Sequence, residues 1–133
     1  MPCVGIDQRD WDRLSHEASA IYHCGGEVDY VKPYQSLHGA NVSSTLELLR
    51  LATTASSKVL HYISTTFVFG FAVRDLCLEA DLNLEMAGLN FGYAQTKWVS
   101  EQLTQINNWI SGEAGKTITS ASRQVVTTQT IPV

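Results

Sequence analysis

The feature that most restricts the fold is the alternation of short apolar segments with longer segments of helical period. Residues 59–63 are rich in β-branched and aromatic side chains, which indicates a central strand that ends in Ser64, Thr65 and Thr66. Shorter strands are predicted at residues 20–23 and 116–121. Because parallel strands need crossover helices between them, this order predicts an α/β fold with a small parallel sheet and flanking helices.

Three helices are expected between these strands. Asp7 is placed to cap the first, over residues 8–19, and Pro33 to begin the second, over residues 33–54. The third covers residues 91–111 and is stopped by Gly112, with a buried stripe formed by Val99, Leu103, Ile106 and Ile110. Residues 67–90 show no sustained period and are predicted to be loop. One domain over residues 1–123 and a polar tail over residues 124–133 follow from this pattern.

Charge and cysteine content exclude several classes of function. The 13 acidic and 9 basic residues give a net charge of -4, so no basic stripe is available to bind nucleic acid. No apolar run approaches the ~20 residues that cross a bilayer, and no signal segment is indicated. The three cysteines are widely spaced, which favours a cytoplasmic protein without a metal site. His23, His38 and His61 are interpreted as core or surface residues, and Glu27 and Asp29 as turn residues.

Tyr93 and Lys97 are the residues whose spacing suggests chemistry. Four residues apart on a helix, they project from one face. A tyrosine with a pKa near its usual value of about 10 is a poor acid or base at neutral pH, and a nearby lysine cation favours its anion and lowers that pKa. A hydroxyl at the end of the central strand can hold a substrate carbonyl there. From the spacing alone, an exposed helix face explains the two residues as well.

Three blocks in the same order resemble the thioester-reductase domains of the extended short-chain dehydrogenases/reductases, which end some peptide and polyketide synthetases. Residues 92–101 read Gly-Tyr-Ala-Gln-Thr-Lys-Trp-Val-Ser-Glu, similar to the catalytic helix of that family. Residues 61–70 are similar to its catalytic-hydroxyl strand, and residues 40–52 to its Asn-Val-x-Gly-Thr helix. The resemblance covers residues 2 to about 123. It implies catalytic roles for Thr65, Tyr93 and Lys97, supporting roles for Asn41 and Ser64, and NADPH as the family cofactor.

The sequence also departs from that family. It lacks the Gly-x-x-Gly-x-x-Gly turn whose following helix holds the cofactor pyrophosphate, and Cys24 stands where the family has Asn. Residues 115–123 differ from the usual Val-x-Ile-x-Arg-Pro-Gly. We therefore expect a partial Rossmann-like layer without the amino-terminal dinucleotide-binding half, and we predict no bound cofactor.

Three functions are compatible with these observations. The first is a nucleotide-independent biosynthetic enzyme that uses Thr65, Tyr93 and Lys97 for acid-base chemistry on a small-molecule or carrier-bound carbonyl, by cyclisation, isomerisation, aldol-type closure or dehydration. The second is a non-catalytic remnant that binds another protein. The third is one fragment of a split NADPH-dependent thioester reductase. Because loss of the first strands exposes residues 20–23 as a sheet edge, we also predict a homodimer or a higher oligomer.

Overall fold

Three parallel strands form the sheet: β1 (Ala20–His23), β2 (Val59–Thr65) and β3 (Thr119–Gln124), side by side in that order. The computed structural model describes residues 5–70, 88–114 and 119–124, with side chains in 5–70 and 88–106. Ala20 is paired with Val59 across β1 and β2, and Thr65 with Gln124 across β2 and β3. The predicted α/β fold with a small parallel sheet is confirmed.

Strand β2 includes Ser64 and Thr65, as expected for a strand that ends in these hydroxyl residues. The described part of β3 runs to Gln124, which we had assigned to the tail. Pairing with β2, which is seven residues long, decides this register, and the local sequence carries no signal for it. Residues 115–118 and 125–133 lie outside the described part of the chain.

Helix α1 (Gln8–Glu17) precedes β1 and is capped as predicted. The Asp7 side chain accepts a hydrogen bond of 2.8 Å from the backbone N–H of Asp10, which satisfies one of the free donors in the first turn. The carboxyl end of α1 is held by Lys58, which is fully buried and donates from Nζ to the carbonyls of Ser15, Thr54 and Ser56. A buried ammonium is tolerated there because helix-end carbonyls solvate it.

The predicted second helix is one continuous helical segment with an irregular centre. Helix α2 (Tyr34–His38) leads into a π-helical turn (Gly39–Ser43) and then into α3 (Ser44–Thr53). Pro33 is the residue before the helix and not its first turn. Asn41 and Val42 are buried in the π turn. Such turns are rare and frequently occur at functional sites.

Helix α4 (Gly92–Ala114) differs most from its prediction. It runs past Gly112, because glycine in a helix costs only about 1 kcal/mol relative to alanine and does not end the helix by itself. The expected apolar stripe is wrong at Ile106, which is 53% exposed, while Val99 and Leu103 are half-buried and the Ile110 side chain lies outside the described part. The buried face is instead largely polar and consists of Tyr93, Ala94, Thr96, Lys97, Ser100, Glu101 and Thr104.

The apolar core lies between α3 and the sheet. Leu49, Ala52 and Leu60 form its buried centre, and Ile21, Leu48 and Leu103 pack against it. The predicted loop at residues 67–90 begins with a 3₁₀ turn (Thr66–Phe69), and residues 71–87 lie outside the described part. The core fixes α3 and α4 against the sheet, which places the start of α4 beside the carboxyl ends of β1 and β2.

Candidate active site

A pocket of about 190 Å³ opens where β1 and β2 end. Its wall is formed by the segment after β1, by the end of β2 and by the first turns of α4; the lining residues are Cys24, Gly25, Gly26, Val28, Ile63, Ser64, Tyr93 and Lys97. Open α/β sheets bind ligands outside the carboxyl ends of their strands. The pocket lies at that edge, and it contains two of the three residues for which a catalytic role was predicted.

The third predicted residue, Thr65, follows Ser64 in β2 and is buried, as is Tyr93, at 5% and 8% exposure. Burial raises the pKa of Tyr93, the nearby Tyr30 raises it further, and the Thr65 side chain acts in the opposite direction. The expected lowering of the Tyr93 pKa is therefore wrong for this structure, because desolvation of the phenolate outweighs the effects that favour it.

Lys97 is buried against the end of β2. Its Nζ donates a hydrogen bond of 2.8 Å to the carbonyl of Ile63 and lies 4.2 Å from the centre of the Tyr62 ring, within the range of a cation–π contact. Burial lowers the pKa of Lys97 to about 8, while Glu101 and then Cys24 act to raise it. Lys97 consequently titrates close to neutral pH, where an ordinary lysine does not.

A buried hydrogen bond connects β2 to α4 beneath the pocket. Ser64 Oγ donates to Glu101 Oε2 over 2.6 Å, and Glu101 is fully buried. Ser64 was predicted to support the site. We assigned no role to Glu101, although its position four residues after Lys97 in the helix was visible in the sequence.

Asn41 connects the segment after β1 to α4 through hydrogen bonds of its side chain. Its Oδ1 accepts a 2.7 Å hydrogen bond from the backbone N–H of Glu27, and its Nδ2 donates to the Glu27 carbonyl and to Thr96 Oγ1. Its backbone carbonyl accepts hydrogen bonds from Thr45 and Ser100. The π turn thus joins the segment after β1 to α4.

Tyr93 also belongs to a cluster of aromatic rings built around Tyr30. Tyr30 meets the rings of Phe67, Phe91 and Tyr93 edge-on, with centroid distances of 5.5, 5.6 and 6.0 Å. Asp29 holds this loop in a turn by accepting from the N–H groups of Val31 and Lys32, which confirms that interpretation of Asp29. No local pattern predicts that Tyr30 would lie against Tyr93.

His23 is a buried residue of the sheet, as we had interpreted it. Its Nε2 lies 3.0 Å from the Thr45 hydroxyl, and its ring packs beside Tyr62. Burial, and secondarily the charge of Lys97, lowers the pKa of His23 to about 4. His61 stacks on Tyr22 with 4.6 Å between ring centroids.

No group of three or more potential metal ligands occurs within the residues that the structure describes. Across residues 5–70, 88–114 and 119–124, no helix is both long enough and apolar enough to span a bilayer.

Comparison with known proteins identifies the family. Residues 1–112 match the family described as male sterility protein, an NAD-binding family. The chain belongs to this family. The resemblance to thioester reductases is likewise confirmed, because the relatives include synthetases and reductases. The nonribosomal peptide synthetase asaC of Aspergillus flavus is 41% identical over 107 residues, which cover 74% of this chain and 10% of that protein.

Other family relatives support the same relation. The carboxylic acid reductase of Segniliparus rugosus is 35% identical over 108 residues, or 75% of this chain and 9% of that protein. Among solved structures, the terminal R domain from the myxalamid PKS-NRPS pathway has a TM-score of 0.82 at 37% identity, covering 92% of this chain and 30% of that one. The chain thus spans a minor part of the relatives it matches.

Proposed function

We propose that this chain carries the Tyr-Lys-Thr part of a nicotinamide-dependent reductase domain that acts on a carrier-bound thioester or the aldehyde derived from it. One observation carries the proposal: Tyr93 and Lys97 line one pocket, and Thr65, whose side chain acts on the Tyr93 phenol, follows the pocket residue Ser64 in β2. Family membership and the synthetase relatives favour this function over the nucleotide-independent enzyme and over the prediction of no cofactor.

The pocket residues fit the nicotinamide end of such a cofactor. The space of about 190 Å³ is bordered by Gly25 and Gly26, which leave the backbone accessible, and Lys97 supplies an ammonium donor suited to ribose hydroxyls. The sequence contains no Gly-x-x-Gly-x-x-Gly turn for the pyrophosphate. We propose that this other half of the cofactor is bound by residues outside this chain, as in a split or longer reductase.

The residues of this chain would act on the carbonyl oxygen. When bound, the nicotinamide supplies the hydride. Thr65 and Tyr93 hydrogen-bond the oxygen and stabilise the charge that develops on it, and Tyr93 then donates its proton to that oxygen. Because burial raises the Tyr93 pKa, the phenol holds this proton at neutral pH but is a weak acid without help from a nearby cation. Charged Lys97 lowers the cost of the phenolate that remains.

The test is a chimera in which this chain replaces the matched segment of the terminal R domain of the myxalamid pathway. We expect NADPH oxidation that depends on a carrier-bound thioester, and a loss of about 100-fold or more in kcat for Tyr93→Phe. Tyr22→Phe is the matched control, because Tyr22 is 70% exposed and outside the pocket. A Tyr93→Phe chimera that retains full activity would exclude the proposed role. Turnover by the unmodified chain without NADPH would instead support the nucleotide-independent enzyme.

A further inference from the structure

The Ser64–Glu101 hydrogen bond joins the two elements that carry the site. Ser64 precedes Thr65 in β2, and Glu101 lies one helical turn after Lys97 in α4. At 5% and 0% exposure, both side chains are removed from water. A buried carboxylate is costly unless hydrogen bonds and a nearby positive charge compensate it, so its place in the fold requires a physical reason.

The groups around Lys97 explain why a carboxylate is buried at position 101. From β2, the Ile63 carbonyl and the Tyr62 ring face its ammonium. From β1 and the segment after it come His23, which is neutral at pH 7, and Cys24. From α4 itself come Tyr93 in the same pocket and Glu101, the stronger of the two groups that raise the Lys97 pKa. Glu101 is thus the carboxylate, among the groups named here, that opposes the loss of the Lys97 proton.

We propose that Glu101, anchored by Ser64, is a positioning residue that keeps Lys97 charged and directed at the end of β2. Glu101 is not itself among the residues that line the pocket, and it acts through Lys97. The charged form of Lys97 is only moderately favoured at neutral pH, because burial leaves Lys97 with a pKa of about 8 even with Glu101 in place. Removing the carboxylate would leave a large fraction of the lysines uncharged at pH 7. The effect on activity rests on the proposed function, whereas the charge of Lys97 is measurable without it.

The primary experiment is an NMR titration of lysine side chains in the full chain, which has four lysines. Carbon-13 labelling at Cε reports each ammonium, and Lys97→Arg identifies the Lys97 signal by its disappearance. We expect a midpoint near 8 in the wild type and a decrease of about one pH unit in Glu101→Gln, which keeps an acceptor for Ser64 but removes the charge. Glu17→Gln is the control, since Glu17 is exposed on α1 and should leave the midpoint unchanged.

A second variant covers the case in which Glu101→Gln does not fold. Ser64→Ala keeps the carboxylate and removes its 2.6 Å anchor, so the Lys97 midpoint should move in the same direction by a smaller amount. A purely structural role for the pair would lower the Tm without moving the midpoint. An unchanged Lys97 midpoint in the variant that folds overturns the proposal.

The activity measurement separates this proposal from the proposed function. In an active reductase chimera, the alkaline limb of the kcat profile should shift to lower pH in Glu101→Gln by the amount seen in the NMR titration. A chimera without reductase activity would contradict the proposed function only, because the titration of Lys97 in the full chain decides the role of Glu101 independently.

Discussion

At the scale of single residues, desolvation is the dominant influence on the candidate site. Burial is the largest cause of the pKa change at Lys97, His23 and Tyr93 alike. Each shift favours the neutral form, as expected when a charge is withdrawn from water. The site therefore holds a neutral histidine, a protonated phenol and a lysine that titrates near pH 8, so its charge depends on few compensating groups.

His23 should make the stability of the fold depend on acid. Its pKa falls from 6.5 to about 4 on folding, so between these values the unfolded chain binds a proton that the folded chain does not. Stability is complete above pH 6.5 and is lost as the pH falls toward 4, by about 3 kcal/mol at most. Urea denaturation at pH 7.5, 5.5 and 4.5 should show this loss in the wild type. In His23→Gln, which does not titrate, the loss should be smaller by that amount; parallel losses would contradict the assignment.

At the scale of elements, the start of α4 is set by its contact with the segment before α2. A Cβ built on Gly92 would lie 2.4 Å from the Tyr34 nitrogen and 2.5 Å from the Lys32 carbonyl oxygen, both backbone atoms. Only glycine permits this approach, and it places Tyr93 in the first turn of the helix beside the pocket. The need for glycine at position 92 arises from tertiary packing. The family motif contains this glycine but does not show which atoms lie beside it.

We expect Gly92→Ala to destabilise the protein by roughly 2 kcal/mol, since backbone on both sides must move to admit the methyl group. Gly39→Ala is the matched control: a Cβ there has no neighbour within 4 Å, the backbone is helical, and alanine should stabilise by about 0.5 kcal/mol. Thermal unfolding followed by circular dichroism measures both. Equal effects of the two substitutions would show that the contact at Gly92 is not restrictive.

At the scale of the whole molecule, the sheet is short for the fold it belongs to. Among the described strands, β1 pairs with β2 and lies at one edge. The chain also covers only 30% of the terminal R domain that it resembles in structure. A β1 edge of this kind presents backbone groups that a further strand can pair with. We therefore propose association of the chain with another copy through this edge.

Light scattering after gel filtration should give a mass well above the 14.7 kDa of one chain. Tyr22→Lys should weaken the association, because Tyr22 lies in β1 with 70% exposure and a lysine on an edge strand opposes pairing. Val31→Lys, 93% exposed in the loop outside the sheet, should not. A wild-type protein that stays monomeric at micromolar concentration would refute the proposal.

Local patterns were sufficient for most of the fold. The β-branched run at residues 59–63, the Asp7 cap and the helical period of residues 91–111 identify β2, α1 and α4 because each signal arises within a few residues of the chain. The same holds for the spacing of Tyr93 and Lys97 and for the family motifs around Thr65 and Asn41. These positions follow from local sequence, and the structure places Tyr93 and Lys97 in one pocket.

Tertiary contacts determine the features that local patterns did not predict, above all which residues of α4 are buried. Glu101, Ser100 and Thr104 look like the solvated face of an amphipathic helix, yet they are buried because partners in β2, in the π turn and in α4 itself satisfy them. The exposure of Ile106 and the raised pKa of Tyr93 likewise depend on which residues pack around each side chain. Hydrogen-bond partners distant in sequence and the loss of water around a side chain exist only after folding. The sequence alone therefore supplied the residues of the candidate site and their order, whereas tertiary packing set their charge and their contacts.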